Sequence, residues 1–273
     1  MDWLEVHRGT APLIVSLPHT GADIPEELAG GFVSPWLAIK DADWWIDKLY
    51  DFARDLGATT VRTRLSRSVI DVNRDPSGVS LYPGQFTTGL CPTETFDGEP
   101  LYIAGSPTDA EIARRREAYF APYHAALNDE ITRLRGRHDR IVLYDAHSIR
   151  SVVPSLFEGE LPNLNIGTNG DTSCDPALTR AVEAACDAGP FSRVTNGRFR
   201  GGWITRHYGQ PANGVHAVQM ELACRGYMDD PAEPPSPGTW PAPYRPEQAA
   251  PMRAVLTDVL TACLTFARAG SPS

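Results

Sequence analysis

The sequence predicts an α/β fold in which a mostly parallel mixed sheet is flanked by helices. Short apolar runs typical of buried strands alternate along the 273 residues with longer segments whose apolar residues recur at helical spacing. No internal repeat, linker or change in composition divides the chain. We therefore expect a single domain over residues 1–273, in which residues 231–273 form a proline-rich wrap and a closing helix.

The first part of the chain contains three predicted strands, one helix and a long loop. Residues 12–17 are an apolar run that stops at Pro-His-Thr-Gly, which predicts a short buried strand before a turn. Residues 43–56 carry apolar side chains at helical spacing and predict an amphipathic helix. Residues 59–63 and 66–72 are rich in strand-forming side chains. Residues 75–107, rich in proline and glycine, predict a long ordered loop.

The rest of the chain alternates helices and strands. Three helices are expected, over residues 108–135, 175–186 and 247–267. Three further strands are expected, over residues 140–145, 163–167 and 214–221. The first of these helices opens on the capping box Thr-Asp-Ala-Glu, and the second opens on Asp-Pro, which supplies an N-cap and a proline at the first helical position. Because helices join successive strands, we expect a mostly parallel sheet.

The composition limits the classes of partner. Asp and Glu outnumber Lys and Arg by 34 to 25, and the formal net charge of −9 argues against binding to nucleic acid or to an anionic membrane. The apolar runs are far shorter than the roughly 18 residues that a membrane span needs, and no secretory signal opens the chain. Five scattered cysteines without a C-x-x-C pair favour a reducing compartment. We expect a cytoplasmic protein that acts on a small molecule and can form a homo-oligomer.

Polar residues follow three predicted strands at the edge where α/β sheets bind ligands. His19 follows the first strand, Asp145 and His147 follow the strand at 140–145, and Glu221 ends the last one. Two imidazoles and a carboxylate, with a second carboxylate left for catalysis, are the donor set of a catalytic zinc site with an open position. The sequence lacks H-E-x-x-H, G-x-G-x-x-G, P-loop and G-x-S-x-G motifs, so a metal site must be assembled from separate strand ends.

These candidates also have structural interpretations. A histidine in a turn often does no more than form hydrogen bonds, and Glu221 is equally suited to pair with a buried arginine. Asn73 and Arg74 offer an amide and a guanidinium fork to a carboxylate ligand. Arg74 is as well placed for an ion pair with Asp71 or Asp75.

A second basic cluster lies at residues 205–209. It contains Arg206 and His207 and follows the pair Gly201-Gly202. Glycines at that point either let the backbone approach a ligand closely or form a turn. The cluster is therefore a candidate binding element, with a purely structural role as the alternative.

Seven short blocks, in order along the chain, resemble the signature of the N-formylglutamate amidohydrolase family. They lie at residues 18–21, 43–50, 71–75, 145–148, 165–168, 201–209 and 218–221. Each block is weak alone, but the seven together are specific and span residues 12 to about 228. The resemblance implies a catalytic domain with a fold similar to zinc-dependent exopeptidases (phosphorylase/hydrolase-like). It also implies a deformylase that releases formate and L-glutamate from N-formyl-L-glutamate in histidine degradation.

The resemblance further implies a bound Zn²⁺ or another divalent metal. His19 and His147 match the histidine ligands of the zinc peptidases. Those peptidases have a glutamate three residues after the first histidine, and Ala22 stands there in this sequence. The carboxylate ligand must come from elsewhere: Asp43 is our choice, and Asp23 is the second candidate.

The remaining roles implied by the resemblance concern the substrate. Asn73 and Arg74 resemble the pair that grips a substrate carboxylate in zinc carboxypeptidases, and Glu221 matches the general base of that class. Arg206 and His207 are expected to stabilise the oxyanion, and Arg206 also to bind substrate. Two alternative functions are a metal-dependent amidohydrolase acting on another N-acyl amino acid and a non-catalytic amino-acid binding protein.

Overall fold

Seven strands form one mixed sheet in the computed structural model, which describes residues 2–80, 84, 87–231 and 234–269. They are β1 (Leu4–His7), β2 (Leu13–Leu17), β3 (Thr59–Thr63), β4 (Ile141–Ile149), β5 (Leu164–Gly167), β6 (Arg193–Thr195) and β7 (Val215–Ala223). Their order across the sheet is β1-β3-β2-β4-β7-β5-β6. The pairs β1–β3 and β5–β7 are antiparallel, and the other four are parallel. The predicted mostly parallel mixed sheet is confirmed.

The described part of the chain contains seven α-helices. They are α1 (Glu26–Ala29), α2 (Ile46–Leu49), α3 (Asp109–Arg115), α4 (Ala121–Arg135), α5 (Pro176–Asp187), α6 (Trp203–Tyr208) and α7 (Pro246–Arg268). A π-helical turn over Arg116–Phe120 joins α3 to α4, so the helix predicted over 108–135 is continuous but locally widened. The helices expected over 175–186 and 247–267 correspond to α5 and α7.

The sheet buries a separate apolar core on each face. Successive side chains of a strand point to opposite faces, and β2 shows this directly. Val15 packs in the core that α5 and α7 cover, whereas its neighbour Ile14 packs in the core on the side of α4. Both side chains are fully buried. Because both faces are covered, the central strands are apolar throughout, as expected for a parallel sheet.

Two predictions for the first part of the chain are wrong. The helix predicted over 43–56 is divided into α2 and a short 3-10 helix over Asp51–Arg54, because Tyr50 between them is not helical, with φ −99° and ψ 13°. The left-handed φ of 64° at Trp45 also delays the start of α2 to Ile46. Residues 66–72 form turns and not a strand. The backbone N–H of Ser66 donates to the Asp23 carbonyl oxygen and its hydroxyl to the Ala38 carbonyl oxygen, so this segment is bonded to loops and not to a sheet neighbour.

The C-terminal part of the chain is anchored in the core. Residues 231–246 contain no helix or strand before Pro246 in their described part, and residues 232–233 lie outside it. Trp240 is 2% exposed, and its indole N–H donates to the Lys40 carbonyl oxygen at 2.9 Å. Among the described helices, α7 alone is long and apolar enough to cross a membrane, but half of that stretch is buried in the protein. Its apolar side packs on α5 and the sheet.

The sheet topology brings the carboxyl ends of β2, β4 and β7 to one edge. These three strands are parallel neighbours in the centre of the sheet. Ser16 on β2 pairs with Asp145 on β4, and His147 on β4 pairs with Glu221 on β7. The three polar groups that sequence analysis placed at strand ends are therefore neighbours.

Candidate active site

His19, Asp43 and His147 form a buried cluster at this edge of the sheet. His19 follows β2, His147 lies in the last part of β4, and Asp43 lies in the turn before α2. One ligand atom from each of the three residues lies within 4.8 Å of the others. Asp43 Oδ2 is 3.0 Å from His147 Nδ1 and 3.7 Å from His19 Nδ1. The predicted ligand set is thus brought together, and its metal-binding role stays a prediction.

Backbone hydrogen bonds fix the position of Asp43. Its own N–H donates to the His19 carbonyl oxygen at 2.9 Å, and the Ser148 N–H donates to its Oδ2 at 3.2 Å. The carboxylate is therefore held between the two strand ends by the main chain. The second candidate, Asp23, forms an exposed ion pair with Arg64 at 3.0 Å and does not belong to the cluster.

The outer ring nitrogen of each histidine is paired with a second carboxylate. His19 Nε2 is 2.7 Å from Asp71 Oδ1, and His147 Nε2 is 3.0 Å from Asp145 Oδ2. Such carboxylate–histidine pairs fix the ring orientation and the tautomer of metal-ligating histidines. Here they leave Nδ1 of both rings directed toward Asp43.

Two of the inner atoms of the cluster form no hydrogen bond with the described part of the chain. Within the described residues, His19 Nδ1 and Asp43 Oδ1 are buried without a hydrogen bond. An unpaired buried polar atom costs about 1–3 kcal/mol, so such atoms are rare unless something else contacts them. Burial and the Arg67 guanidinium lower the pKa of His19, which favours the neutral ring that can bind a metal. Two imidazole nitrogens and a carboxylate oxygen fit Zn²⁺ or a related divalent cation.

Glu221 stands beside this cluster on β7. Its Oε2 accepts a hydrogen bond from Gln219 Nε2 at 3.2 Å, and the side chain lines the same cleft as both histidines. Burial raises the pKa of Glu221 to about 8. A buried carboxyl with a raised pKa can accept and return a proton near neutral pH. The alternative role for Glu221, an ion pair with a buried arginine, is not observed among the described residues.

The cleft encloses about 580 Å³, counting the part that is open to solvent. Three arginines line it: Arg67, Arg74 and Arg198. In a chain with a net charge of −9, this local positive charge favours an anionic ligand. An apolar wall completes the cleft, formed by Phe96, Ile149, Leu156 and Phe199.

Asn73 and Arg74 both reach the cleft, but protein groups already contact them. Asn73 Nδ2 donates to Asp145 Oδ2 at 3.0 Å and lies 2.9 Å from His147 Nε2. Arg74 donates to Thr88 through Nε and Nη2, and its Nη2 is 3.6 Å from Asp71 Oδ2. Arg74 therefore also forms the ion pair with Asp71 that was its alternative role. Asn73 orients the Asp145 carboxylate, which pairs with His147.

Arg206 and His207 do not line the cleft, which corrects the expectation that they face the reacting group. Arg206 Nε donates to the Gly201 carbonyl oxygen at 2.8 Å, and His207 is exposed and stacks on Trp203. Within this block, Gly202 is the residue that lines the cleft. A Cβ on Gly202 would lie 2.4 Å from Asn73 Nδ2, so the close approach requires glycine.

Sequence reasoning missed Arg67 and Gln219. Arg67 is buried and lines the cleft, with Nη2 at 2.7 Å from Asp71 Oδ2 and Nη1 at 3.8 Å from Asp43 Oδ1. Gln219 accepts the Gly202 N–H and donates to Glu221, so it joins α6 to the candidate base. The alternation of β7 places residues 219 and 221 on one face, a signal that could have identified Gln219.

Known proteins similar to this chain identify its family. The family model of the N-formylglutamate amidohydrolases matches residues 11–228. The chain is 45% identical to the N-formylglutamate deformylase of Pseudomonas putida over 265 residues, covering 96% of each chain. It is also 45% identical to that of Pseudomonas aeruginosa over 267 residues, covering 97% of each chain.

Two solved structures share the fold. N-formylglutamate amidohydrolase from Ralstonia eutropha JMP134 superposes with a TM-score of 0.81 at 23% identity, covering 99% of this chain and 100% of that one. A protein from Agrobacterium tumefaciens superposes with a TM-score of 0.71 at 19% identity, covering 97% and 95%. With the family model matching most of its length, the chain belongs to the N-formylglutamate amidohydrolase family.

Proposed function

We propose that this protein hydrolyses N-formyl-L-glutamate to formate and L-glutamate in a metal-dependent reaction of histidine degradation. The observation that carries the proposal is the buried cluster of His19, Asp43 and His147, with Glu221 in the same cleft. Within the described residues, His19 Nδ1 and Asp43 Oδ1 of this cluster form no hydrogen bond. The high identity to two deformylases over almost the whole chain supports the choice of substrate.

The three clustered residues would hold the metal through His19 Nδ1, His147 Nδ1 and the Asp43 carboxylate. When bound, a divalent cation supplies Lewis acidity, which polarises an amide carbonyl and acidifies water to a pKa of about 7. Asp71 and Asp145 keep both rings in the tautomer that leaves Nδ1 for the metal.

Glu221 is proposed as the general base and then the general acid. Its carboxylate takes a proton from the attacking water and returns it to the amide nitrogen as the C–N bond breaks. Gln219 holds the carboxylate through Oε2, which fixes the direction of proton transfer. Positioned acid–base groups of this kind contribute roughly 10²–10⁴-fold to the rate.

Arg67 takes the role of oxyanion stabiliser that sequence analysis gave to Arg206 and His207. Its guanidinium lines the cleft close to Asp43, and the bond to Asp71 holds it in place. A preorganised donor to an oxyanion is worth about 10²–10³-fold in kcat. Arg74 and Arg198 add positive charge for the two carboxylates of the substrate.

The test combines metal analysis with a formate-release assay. The purified protein is assayed on N-formyl-L-glutamate before and after treatment with a chelator, and after addition of Zn²⁺. We expect about one divalent ion per chain, formate release that the chelator abolishes, and recovery on adding metal. Binding without turnover would favour the binding-protein alternative. Faster hydrolysis of acetyl or longer acyl groups would favour the broader amidohydrolase.

A further inference from the structure

A short hairpin turn over residues 95–99 carries one apolar side chain into the cleft wall. The Thr95 N–H donates to the Glu99 carbonyl oxygen, and the Gly98 N–H donates to that of Thr95, both at 2.9 Å. Phe96 at its tip is 7% exposed and lines the cleft. Its ring lies over the guanidinium of Arg67, with 5.1 Å between the ring centroid and Cζ.

Two buried cations hold the acidic side chains of this turn. Lys40, 2% exposed, contacts Asp97 at 2.6 Å and also contacts Glu99. Arg150, 3% exposed, places Nη2 at 2.8 Å from Asp97 Oδ2. Ion pairs with a buried partner are costly to break, because the charge left behind stays unpaired.

The main chain of Phe96 is fixed as well. Its N–H donates to Asp41 Oδ2 at 2.7 Å, and its carbonyl oxygen accepts the hydroxyl of Ser155. The aromatic ring therefore belongs to a rigid wall and cannot withdraw without breaking several polar contacts. A rigid wall excludes a larger group, whereas a mobile one would repack around it.

The ring also lies close to the place of the proposed reaction. The Arg67 guanidinium that it covers is 3.8 Å from Asp43 Oδ1, an atom of the proposed metal site. Glu221 and both histidines line the same cleft. The Phe96 ring therefore faces the cleft in which the acyl group would be attacked.

We propose that Phe96 determines acyl-group size: its fixed ring leaves room for the hydrogen of a formyl group but not for the methyl of an acetyl group. This inference rests on the proposed function, because it concerns the acyl group of that same substrate. One additional methyl group in a closed pocket changes the discrimination by about 10–200-fold. Phe96 is thus a specificity-determining residue, with Lys40 and Arg150 as its positioning residues.

The experiment measures kcat/KM for N-formyl-L-glutamate and N-acetyl-L-glutamate with metal-loaded wild type, Phe96→Leu and Phe96→Ala. We expect the acetyl-to-formyl ratio to rise in that order, by about 10-fold or more for Phe96→Ala. Phe96→Tyr keeps the ring and should keep the wild-type ratio. Phe199→Ala is the matched control, since Phe199 lines the same apolar wall but its ring contacts the guanidinium of Arg198, and the variant should change KM without changing the ratio.

Different results overturn the two proposals separately. Formate release by wild type with an unchanged ratio in Phe96→Leu and Phe96→Ala would overturn the role of Phe96 alone. An equal rise of the ratio in Phe199→Ala would also overturn it, because general widening of the cleft would then explain the effect. No formate release by metal-loaded wild type would overturn the proposed function, and this inference with it. Phe96→Leu retains most of the apolar volume, so the test does not depend on whether Phe96→Ala folds.

Discussion

Two buried ion clusters border the cleft, and they differ in how completely their charges are matched. The first surrounds the two histidines and contains four carboxylates: Asp43, Asp71, Asp145 and Glu221. The arginines in contact with it are Arg67 and Arg74, both at Asp71. With a metal bound, both imidazoles would be neutral and Glu221 ionised. The four carboxylates against two arginines would then leave a formal surplus of two negative charges, which a divalent cation would offset.

The second cluster holds the hairpin turn of Phe96. Its cations, Lys40 and Arg150, contact Asp97, and each contacts one more carboxylate, Glu99 for Lys40 and Asp41 for Arg150. The acidic side chains Asp97 and Glu99 are partly exposed, so water also solvates them. Its two cations face three carboxylates, which leaves a formal surplus of one negative charge.

The difference distinguishes a candidate binding site from a cluster that holds a loop in place. Burial of charge is common to both clusters and by itself says little about function. All four carboxylates of the first cluster are buried, so a ligand there would offset charge that water does not reach. In the second cluster, water and two buried cations offset the charge of Asp97 and Glu99. Four predictions test this contrast, from the largest expected effect to the smallest.

Asp43→Ala should abolish metal binding and reduce formate release by about 1,000-fold or more, because the cluster loses the carboxylate between its two imidazoles. Metal content is measured after dialysis, and the melting temperature is measured with and without chelator. The chelator should lower the melting temperature of wild type and leave that of the variant unchanged.

Asp23→Ala is the matched control for that variant. It removes an exposed aspartate that contacts Arg64 and should keep both metal and activity. Metal retained by Asp43→Ala, or lost from Asp23→Ala, would contradict the ligand assignment.

Glu221→Gln should reduce kcat by about 10²–10⁴-fold while metal content stays at the wild-type level. The amide keeps the shape of the side chain but cannot accept the proton from water. Steady-state kinetics and metal analysis on one preparation check the result. A kcat close to that of wild type would show that the first cluster works without this carboxylate.

Lys40→Met should destabilise the fold by about 1–3 kcal/mol, because Asp97 and Glu99 lose their buried partner but keep contact with water. Urea unfolding provides the measurement. Lys48→Met is the matched control: Lys48 is the second of the two lysines in the sequence, it is exposed, and its removal should change stability by less than about 0.5 kcal/mol. Equal effects of the two variants would mean that the second cluster contributes nothing as a support.

His124 provides a third comparison, because both nitrogens of its imidazole form hydrogen bonds with protein groups. Nε2 donates to the Val72 carbonyl oxygen at 2.8 Å, and Nδ1 accepts the Tyr208 hydroxyl at 3.0 Å. Burial lowers the pKa of His124 to about 4, whereas in the unfolded chain the value is 6.5. The unfolded chain therefore binds the proton first, and the stability from this group is complete above pH 6.5 and decreases toward pH 4.

Between pH 7.5 and pH 5, wild type should lose about 1–2 kcal/mol more unfolding free energy than His124→Gln, after allowance for the partial exposure of the ring. Urea unfolding at the two pH values measures the difference. An equal loss in both proteins would show that His124 is protonated in the folded state or does not titrate in this interval.

Sequence analysis was most informative for site residues at the ends of the parallel strands, because the fold fixes where those ends lie. His19, His147 and Glu221 could be grouped because carboxyl ends of neighbouring parallel strands meet at one edge. Asp43 lies in a turn outside the sheet, and it was chosen because it precedes a predicted helix near the sheet edge. Periodicity did not predict the left-handed Trp45 that delays the start of that helix.

Other parts of the site depend on long-range geometry. Arg67 lies in a segment whose composition favoured a strand, and its contacts with Asp43 and Phe96 exist only in the folded chain. The block at residues 201–209 was identified correctly as part of the family signature, but the fold decides which of its residues lines the cleft. Gly202 does, and Arg206 and His207 do not.

The sheet order has a consequence for the way the protein matures. β2, β4 and β7 are adjacent in space, but the residues they contribute are separated by more than a hundred positions between His19 and His147 and by more than seventy between His147 and Glu221. During synthesis, a chain that emerges from its N-terminus carries His19 long before β4 and β7 exist. On the proposed ligand set, an incomplete chain would offer an ion only isolated side chains until β4 brings His147 beside His19 and Asp43. Selective loading with the proposed metal would therefore have to follow that step.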